Sequence, residues 1–268
     1  MNKQKRFNQI SKNIKSIKIQ GAREIAKAGF QAYQLIPNQK SKQKLLSLRP
    51  TEPMLEKSLE IADKISYKEL LKKLDRNQQA INKQILKLIK NNSVIFTHCH
   101  SSTVNEALIY AKNKGKNFEV YNTETRPLYQ GRKTARELKK AGIKITMFVD
   151  SAATIALTKS QGTRDVDLVL LGADAIIKKG VINKVGSGMF TQIAKTNKIP
   201  VYILSDSWKY SNKKIQLEKR DLKEVWKNPK QKINIQNFAF ELIKKQNITR
   251  IISELGKLSY EDFLKKVD

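Results

Sequence analysis

After Asn92 the chain alternates between short runs of β-branched residues and longer segments with helical periodicity. The runs begin about 22 to 33 residues apart, a spacing that fits one strand followed by one helix. This alternation is typical of a parallel, doubly wound sheet, so the sequence predicts an α/β fold. The predicted strands are residues 94–98, 118–124, 145–150, 167–174 and 200–206, with 251–253 as a candidate final strand. The predicted helices between them are residues 103–114, 133–141, 152–159 and 187–197, and the lysine-rich stretch 208–246 is predicted to be a loop and a helix.

The first 91 residues show a different pattern, without a convincing strand. Apolar side chains recur there at spacings of three and four, as between Leu55 and Ile89, which predicts amphipathic helices. Three prolines, at positions 37, 50 and 53, interrupt this pattern. We therefore predict an N-terminal helical domain over residues 1–91, followed by the α/β domain over residues 92–268.

Candidate functional residues are concentrated at the carboxyl ends of the predicted strands. In an open parallel sheet, ligands bind in the crevice beyond these ends. Five successive predicted strands end in polar or reactive residues: Thr97-His98-Cys99-His100-Ser101, Thr123-Glu124-Thr125-Arg126-Pro127, Asp150-Ser151-Ala152, Gly172-Ala173-Asp174-Ala175 and Ser205-Asp206-Ser207. This coincidence predicts a binding site at that edge of the sheet.

Cys99 is the only cysteine, and it lies between the end of a predicted strand and the start of a predicted helix. A helix N-terminus favours the thiolate, so a cysteine there can act as a base or a nucleophile. The alternative is a small buried apolar side chain, which is the common role of a lone cysteine. His98 and His100 flank it, but neighbours along a strand point to opposite faces, and no further histidine or cysteine exists to complete a metal site. We therefore predict no metal.

Asp174 is the second candidate, because it follows the apolar run Leu168–Leu171 and a glycine. A carboxyl group at the end of a buried strand is partly removed from water, which raises its pKa and lets it hold a proton near neutral pH. The alternative is an aspartate that caps a helix or stabilises a turn. A cysteine and an aspartate together suit the movement of a proton between adjacent carbons, which needs neither a redox cofactor nor a metal.

Three segments place small or hydroxylated residues directly before a predicted helix, where backbone N–H groups attract anions. They are Ser101-Ser102, Gln130-Gly131-Arg132 and Gly186-Ser187-Gly188. Asn183, Lys184 and Lys209 lie near the same strand ends and could bind phosphate through charge-assisted hydrogen bonds. No G-x-G-x-x-G follows the first strand and no P-loop motif occurs, so we predict no nucleotide cofactor.

The chain has 53 Lys and Arg against 24 Asp and Glu, a formal net charge of +29. Such an excess is typical of nucleic-acid-binding proteins. The lysines, however, are spread along the whole chain, which favours a lysine-rich solvated surface over a dedicated nucleic-acid site. No apolar run approaches the roughly 18–20 residues of a membrane span, and no signal-peptide core is present. We therefore expect a soluble, cytoplasmic protein without a membrane partner.

In their order along the chain, these motifs resemble one superfamily. It is the superfamily of the alpha, beta and delta subunits of translation initiation factor 2B, methylthioribose-1-phosphate isomerase and archaeal ribose-1,5-bisphosphate isomerase. The resemblance covers nearly the whole chain and rests on Gln20-Gly21-Ala22, Arg49-Pro50-Thr51, the strand-end segments around Cys99, Arg126, Asp150 and Asp174, Gln130-Gly131, residues 181–186 and Lys209. It implies a helical N-terminal domain followed by a Rossmann-like domain.

The resemblance also implies an enzyme, because the isomerases of the superfamily have a catalytic cysteine and aspartate that the regulatory subunits lack. The short chain and the motifs at Arg49 and Asn183 are closest to ribose-1,5-bisphosphate isomerase, which forms ribulose 1,5-bisphosphate in archaeal AMP salvage. By this resemblance, Cys99 is the base that takes the C2 proton, and Asp174 is the acid that assists ring opening and returns a proton at C1. The implied substrate-binding residues are Gln20, Gly21, Ala22, Arg23, Arg49, Ser101, Ser102, Thr103, Asn183, Lys184 and Lys209.

Two positions depart from the isomerase pattern. Gln20 stands where the isomerases have arginine, which removes a bidentate phosphate partner, and His100 stands where they have asparagine. Arg23 is a candidate to reach the same phosphate. The alternative function is a non-catalytic subunit similar to those of initiation factor 2B, with initiation factor 2 as its partner. The other implied partners are a sugar bisphosphate substrate, further copies of the chain in a dimer or hexamer, and AMP as an activator.

Overall fold

The computed structural model describes residues 2–161, 163–229, 231 and 233–268. Its N-terminal part consists of helices joined by short turns: α1 (Lys3–Lys15), α2 (Ala22–Leu35), α3 (Gln39–Leu48), α4 (Pro53–Glu60) and α5 (Tyr67–Leu88). The start of α5 shows why this sequence is helical. Ser66 accepts a hydrogen bond from the Glu69 N–H, and the Glu69 carboxylate accepts one from the Ser66 N–H, which together form a capping box.

The helices of the N-terminal part bury one apolar face each in a shared core. Ile25 and Phe30 of α2 pack there with Leu55 and Leu59 of α4, all fully buried. The two helices approach closely at Gly29, where an added Cβ would lie 2.2 Å from Cδ1 of Leu55. The predicted helical periodicity of this region is therefore confirmed, and it reflects burial of the apolar stripes against one another.

A seven-stranded sheet forms the rest of the core. Its strands are β1 (Ser93–Thr97), β2 (Phe118–Thr123), β3 (Lys144–Phe148), β4 (Leu168–Leu171), β7 (Val201–Leu204), β9 (Arg250–Ser253) and β10 (Gly256–Leu258), in the order β10-β9-β7-β4-β1-β2-β3. All neighbours pair in parallel except β9 and β10, which are antiparallel. The helices that flank the sheet are α6 (Ser102–Asn113), α7 (Gln130–Lys140), α8 (Ala153–Leu157), α9 (Ser187–Thr196) and α10 (Tyr260–Val267). The predicted α/β fold is confirmed.

The sheet reverses its direction of growth at β1. The chain runs outward from β1 through β2 to β3 and then returns to place β4 on the other side of β1. In open α/β sheets, the crevice at such a switch point is where ligands bind. Cys99 follows β1 and Asp174 follows β4, so both lie at the carboxyl edge of these two neighbouring strands.

A second, antiparallel sheet corrects one prediction. It consists of β5 (Ala175–Ile177), β6 (Gly180–Lys184) and β8 (Phe240–Lys244) in the order β5-β6-β8. The stretch 208–246 was predicted to contain a helix, but its described residues form turns of 3₁₀ helix, irregular loop and strand β8. The reason is a pairing between distant segments: Val181 is opposite Ile243, and both are fully buried. A local sequence window does not contain this partner.

Gly131 permits an unusually close contact between α7 and the end of β2. A Cβ at this position would lie 1.7 Å from the carbonyl oxygen of Thr123, which belongs to the backbone and cannot turn away. We expect Gly131→Ala to lower the free energy of unfolding by about 3 kcal/mol or more, because the helix must shift to remove the overlap. Denaturant unfolding measures this. Lys140→Ala, at an exposed position of the same helix, should change stability little. Equal effects of the two substitutions would contradict the contact.

Among the described residues, no helix has both the length and the apolar character needed to cross a membrane.

Candidate active site

A cavity of about 630 Å³ lies at the carboxyl edge of β1 and β4, between the sheet and the N-terminal helices. It is lined by eleven of the predicted site residues: Cys99, Asp174, Gln20, Gly21, Ala22, Arg49, Ser101, Ser102, Asn183, Lys184 and Lys209. The structure therefore brings together side chains that are separated by more than 180 positions in the sequence.

Arg23 and Thr103 lie outside this cavity. Arg23 is buried and forms ion pairs with Asp75 of α5 and, at 3.0 Å, with Glu106 of α6. Its guanidinium therefore links three helices. Thr103 is buried in the first turn of α6, and its carbonyl accepts a hydrogen bond from the Gln78 side chain at 3.1 Å.

Cys99 is held in a strained backbone conformation, with φ of +65°, directly after β1. Its N–H donates to Oγ1 of Thr125 at 3.0 Å, and its carbonyl accepts from Oγ1 of Thr134 at 2.8 Å. Burial raises the pKa of the thiol to about 11, although the positive charge of Lys184 and the backbone N–H of His100 act in the opposite direction. The free side chain is thus fixed in place and predominantly a thiol at neutral pH.

Asp174 follows β4, and its backbone N–H donates to the carbonyl of Ile182 at 2.9 Å. Burial raises the pKa of the carboxyl group, while Lys209, Lys184 and Arg49 partly offset that effect. Asp174 is also close enough to Cys99 for its negative charge to raise the pKa of the thiol. The site therefore holds two acids whose proton affinities are both increased: Asp174 keeps its proton at higher pH than a free carboxyl group, and the Cys99 thiolate is scarce but strongly basic.

The two histidines have different surroundings. His98 is buried, and its Nε2 lies 3.0 Å from the carbonyl of Val185, so Nε2 carries the proton. Its Nδ1 accepts from Oγ1 of Thr123 at 2.5 Å, and burial lowers the pKa of the ring to about 4. His98 is therefore neutral and positions the strand ends. His100 instead donates to Glu137 at 2.9 Å. No cluster of three or more His, Cys, Asp or Glu suited to a metal ion occurs within the described ranges.

Two lysines supply positive charge beside Asp174. Nζ of Lys209 donates to the carbonyl of Ala173 at 2.6 Å, which fixes the ammonium group one residue from the aspartate. Lys184 lies on β6 with its ammonium group 5.5 Å from the centre of the Phe240 ring. Both lysines are 6% exposed, so water screens their charges weakly. A dianionic ligand in the cavity would meet both.

The start of α6 forms the opposite wall of the cavity. Ser101 caps this helix by accepting from the Val104 N–H, and Ser102 occupies the first turn. Gly172, which follows β4, permits the close approach of Ser101 to this strand end, because a Cβ at position 172 would lie 2.5 Å from Oγ of Ser101. Backbone N–H groups at this helix end can bind an anion, and the serine hydroxyls can bind sugar oxygens.

Glu52 and Arg220 are cavity residues that the sequence did not single out. Glu52 directly follows Arg49-Pro50-Thr51, and that proximity is the one signal that could have included it. Arg220 lies in the long loop before β8 and is the only arginine in the lysine-rich stretch 208–246. Glu137 was not identified either; it lines the cavity and accepts hydrogen bonds from His100 and Asn105.

Comparison with known proteins agrees with this arrangement. The sequence profile of the Initiation factor 2 subunit family matches residues 9–260, which is most of the chain. The chain belongs to the initiation factor 2 subunit family. Within this family, it is 28% identical to the ribose 1,5-bisphosphate isomerase of Archaeoglobus fulgidus, over 94% of this chain and 89% of that protein. It is 30% identical to the ribose 1,5-bisphosphate isomerase of Pyrococcus furiosus, over 92% of this chain and 89% of that protein.

Solved structures of proteins named as translation initiation factor eIF-2B or its complexes have the same fold. The translation initiation factor eIF-2B structure of Pyrococcus horikoshii OT3 matches with a TM-score of 0.81 and 25% identity, over 95% of this chain and 97% of that chain. A chain of the tetrameric eIF2B-beta2-delta2 complex of C. thermophilum matches with a TM-score of 0.74 and 15% identity, over 92% of this chain and 90% of that chain. Oligomeric assembly therefore occurs among proteins with this fold.

Proposed function

We propose that the protein is an aldose–ketose isomerase that converts ribose 1,5-bisphosphate to ribulose 1,5-bisphosphate. The observation that carries this proposal is the placement of the Cys99 thiol and the Asp174 carboxyl in one cavity, beside the buried ammonium groups of Lys184 and Lys209. Two relatives that match nearly the whole chain are named for this activity, which supports the choice of substrate.

The first half of the reaction opens the sugar ring. Asp174 in its acid form gives its proton to the ring oxygen as the bond between that oxygen and C1 breaks. The Cys99 thiolate removes the proton from C2, so that C1 and C2 become joined by a double bond and the phosphate stays on C1. The raised pKa of Asp174 keeps a proton available for this step, and the raised pKa of Cys99 makes its thiolate a strong base.

The second half forms the ketone and restores both groups. Asp174, now a carboxylate, takes the proton of the C2 hydroxyl and delivers it to C1. C2 thereby becomes the carbonyl carbon of ribulose 1,5-bisphosphate. The proton on the Cys99 thiol then passes to Asp174, which restores the acid form of Asp174 and the Cys99 thiolate, the minor protonation state from which each turnover starts. All protons are accounted for without an oxidant or a reductant, as expected for an isomerisation.

The direct test is incubation of the purified protein with ribose 1,5-bisphosphate, with and without AMP, while the formation of ribulose 1,5-bisphosphate is followed. We expect turnover in the range of typical enzymes, about 1 to 10³ s⁻¹. No product across pH 6 to 9, in a sample with a cooperative unfolding transition, would contradict the proposal. Retention of initiation factor 2 on the immobilised protein, together with absent turnover, would support the alternative of a non-catalytic subunit.

We also propose that the chain forms a homo-oligomer through the free edge of the large sheet. Strand β3 lies at that edge, and Met147 on β3, Val149 after it and Ile155 on α8 are 48%, 54% and 47% exposed. Exposed apolar residues near a free sheet edge are typical of an interface. Lys144 at the start of the same strand is also exposed.

Met147→Lys is expected to shift the assembly toward monomers, because it places a charge among the exposed apolar residues near the β3 edge. Light scattering coupled to size-exclusion chromatography measures the mass directly. Leu242→Lys, a substitution of a similarly exposed apolar residue on β8, should leave the mass unchanged. A monomeric wild-type protein, or equal masses for Met147→Lys and the wild type, would contradict this interface.

A further inference from the structure

Four charged side chains meet near Asp174: Arg49, Glu52 and Arg220, which are buried and line the cavity, and Glu218, which is partly exposed. We refer to them as the arginine–carboxylate cluster. Nη2 of Arg49 lies 3.3 Å from Oε1 of Glu52 and 3.4 Å from Oε2 of Glu218. Nε of Arg220 lies 3.2 Å from Oε1 of Glu218. The side chains of Arg49, Glu52 and Arg220 are only 5%, 1% and 8% exposed.

The cluster has more hydrogen-bonding groups than partners. Nε and Nη1 of Arg49, Nη1 of Arg220 and Oε2 of Glu52 are buried and have no hydrogen-bond partner within the part of the chain that the structure describes. Unsatisfied buried guanidinium groups are costly, so a native protein that has them is expected to supply the missing acceptors from an ordered water, an ion or a ligand. A phosphate group offers several acceptor oxygens in a geometry that fits guanidinium groups.

The cluster is assembled from two distant parts of the chain. Arg49 ends α3 and Glu52 precedes α4, whereas Glu218 and Arg220 belong to the loop before β8. Oγ1 of Thr51 donates to the carbonyl of Gln216 at 3.0 Å, which holds this loop against the helices. Gln20 contributes nothing to the cluster in this state, because its side-chain amide donates to the carbonyl of Ile17.

We propose that Arg220 binds one phosphate of the sugar bisphosphate together with Arg49, and that Glu52 controls this binding by competing for Arg49 when it is ionised. The proposal rests on the proposed function for the identity of the ligand. A neutral Glu52 leaves Arg49 in an ion pair with Glu218 only, so that Nε and Nη1 of Arg49 are available to the phosphate. An ionised Glu52 both occupies that guanidinium and repels the phosphate, so occupancy of the subsite is linked to uptake of one proton by Glu52.

The surroundings of Glu52 set the pH at which it ionises, and therefore the pH at which it competes with the phosphate. The groups that face it are Asp174, Arg49, Lys209 and Glu218. Burial and the negative charges of Asp174 and Glu218 raise the pKa of Glu52 to about 8, and Arg49 and Lys209 offset only part of that increase. Glu52 is therefore mainly neutral at pH 7 and mainly ionised at pH 9. Phosphate monoesters, with a second pKa of about 6, do not titrate in this window.

Binding of ribulose 1,5-bisphosphate, followed by isothermal titration calorimetry, tests the proposal without relying on turnover. For the wild-type protein, we expect the Kd to be about tenfold higher at pH 9 than at pH 7, with a proton taken up at pH 9 that buffers of different ionisation enthalpy reveal. In Glu52→Gln the Kd should vary little with pH, because the amide cannot ionise. A pH dependence that persists in Glu52→Gln but disappears in Asp174→Asn would overturn the role of Glu52.

The role of Arg220 is tested in the same assay at pH 7. Arg220→Met should raise the Kd by about tenfold or more, because it removes one charge-assisted contact, and Arg220→Lys should restore part of the affinity. Arg250→Met is the matched control, since Arg250 is exposed on β9 and does not line the cavity. If Arg220→Met unfolds, the comparison of Arg220→Lys with wild type decides, and unchanged affinity in either folded variant overturns the subsite.

The outcomes for the two proposals are distinguishable. A protein that binds the bisphosphate with proton uptake but does not isomerise it contradicts the proposed reaction and supports the subsite. A protein that isomerises the sugar, but binds it with the same affinity at pH 7 and pH 9, supports the reaction and overturns the control by Glu52. Absence of any bisphosphate binding contradicts both.

Discussion

Cys99→Ser is expected to lower kcat by about 10³-fold or more while leaving the fold intact. The serine hydroxyl is close in size to the thiol, but it is a far weaker acid and cannot supply an anionic base at C2. The backbone contacts of Cys99, to Thr125 and Thr134, do not involve the thiol and should be retained. Because the chemistry is lost and the binding groups remain, KM should change much less than kcat.

The pH dependence gives a second readout of the same group. Burial raises the pKa of the Cys99 thiol to about 11, so the thiolate fraction, and with it the rate of alkylation of Cys99, should rise with pH through the neutral and alkaline range. Cys99→Ser should not be alkylated at any pH.

Chemical labelling adds a control, because Cys99 is the only cysteine and alkylation of the wild-type protein therefore reports on this site alone. Bound bisphosphate should slow the labelling. Wild-type kcat in Cys99→Ser would eliminate the thiol as the base.

Asp174→Asn is expected to lower kcat by about 10²- to 10³-fold, because an amide cannot give a proton to the ring oxygen or take one from the C2 hydroxyl. The substitution preserves shape, and the only hydrogen bond described for Asp174 uses its backbone N–H. The amide has the charge of the acid form of Asp174 and leaves Lys184 and Lys209 in place, so phosphate binding should change little. The expected signature is therefore a large fall in kcat with a nearly unchanged KM.

Asp206→Asn is the matched control for this prediction, because Asp206 also follows a parallel strand of the large sheet. Its carboxylate accepts hydrogen bonds from the Asn77 side chain at 2.7 Å and from the Trp208 N–H at 2.9 Å, and it does not line the main cavity. This substitution should lower thermal stability and leave kcat within a few-fold of the wild type. Similar losses of kcat in both variants would mean that Asp174 acts through the fold rather than in the reaction.

The sequence predicted those features that depend on short segments. The strands around Cys99 and Asp174 are runs of apolar residues with clear ends, so the position of both residues at one edge of the sheet followed from local pattern and the general rule for parallel sheets. The helical character of the N-terminal part followed in the same way from its apolar periodicity.

The features that sequence reasoning missed depend on tertiary contacts. Nothing near Arg23 in the sequence indicates that it faces Asp75 and Glu106, which lie on other helices. In the sequence, Glu52 cannot be distinguished from a surface glutamate. It is buried only in the folded protein, where α4 and the loop before β8 enclose it. Strand β8 forms because it pairs with β6, which is distant in the sequence. The lysine-rich sequence around β8 does not by itself indicate a strand. Burial of charge, which decides the chemistry of Glu52 and Arg220, is a property of the assembled fold.

The distribution of the cavity wall along the chain has a consequence for synthesis on the ribosome. Gln20, Arg49 and Cys99 emerge early, but Lys184 and Lys209 emerge roughly 85 to 110 residues after the cysteine, and Arg220 later still. A nascent chain that has folded its helical part and its first βα units therefore has a reactive thiol and no complement of cations around it. If the proposed isomerase site is correct, we expect catalytic competence only after the loop before β8 has packed against the helices, and chains truncated before Lys209 should have none.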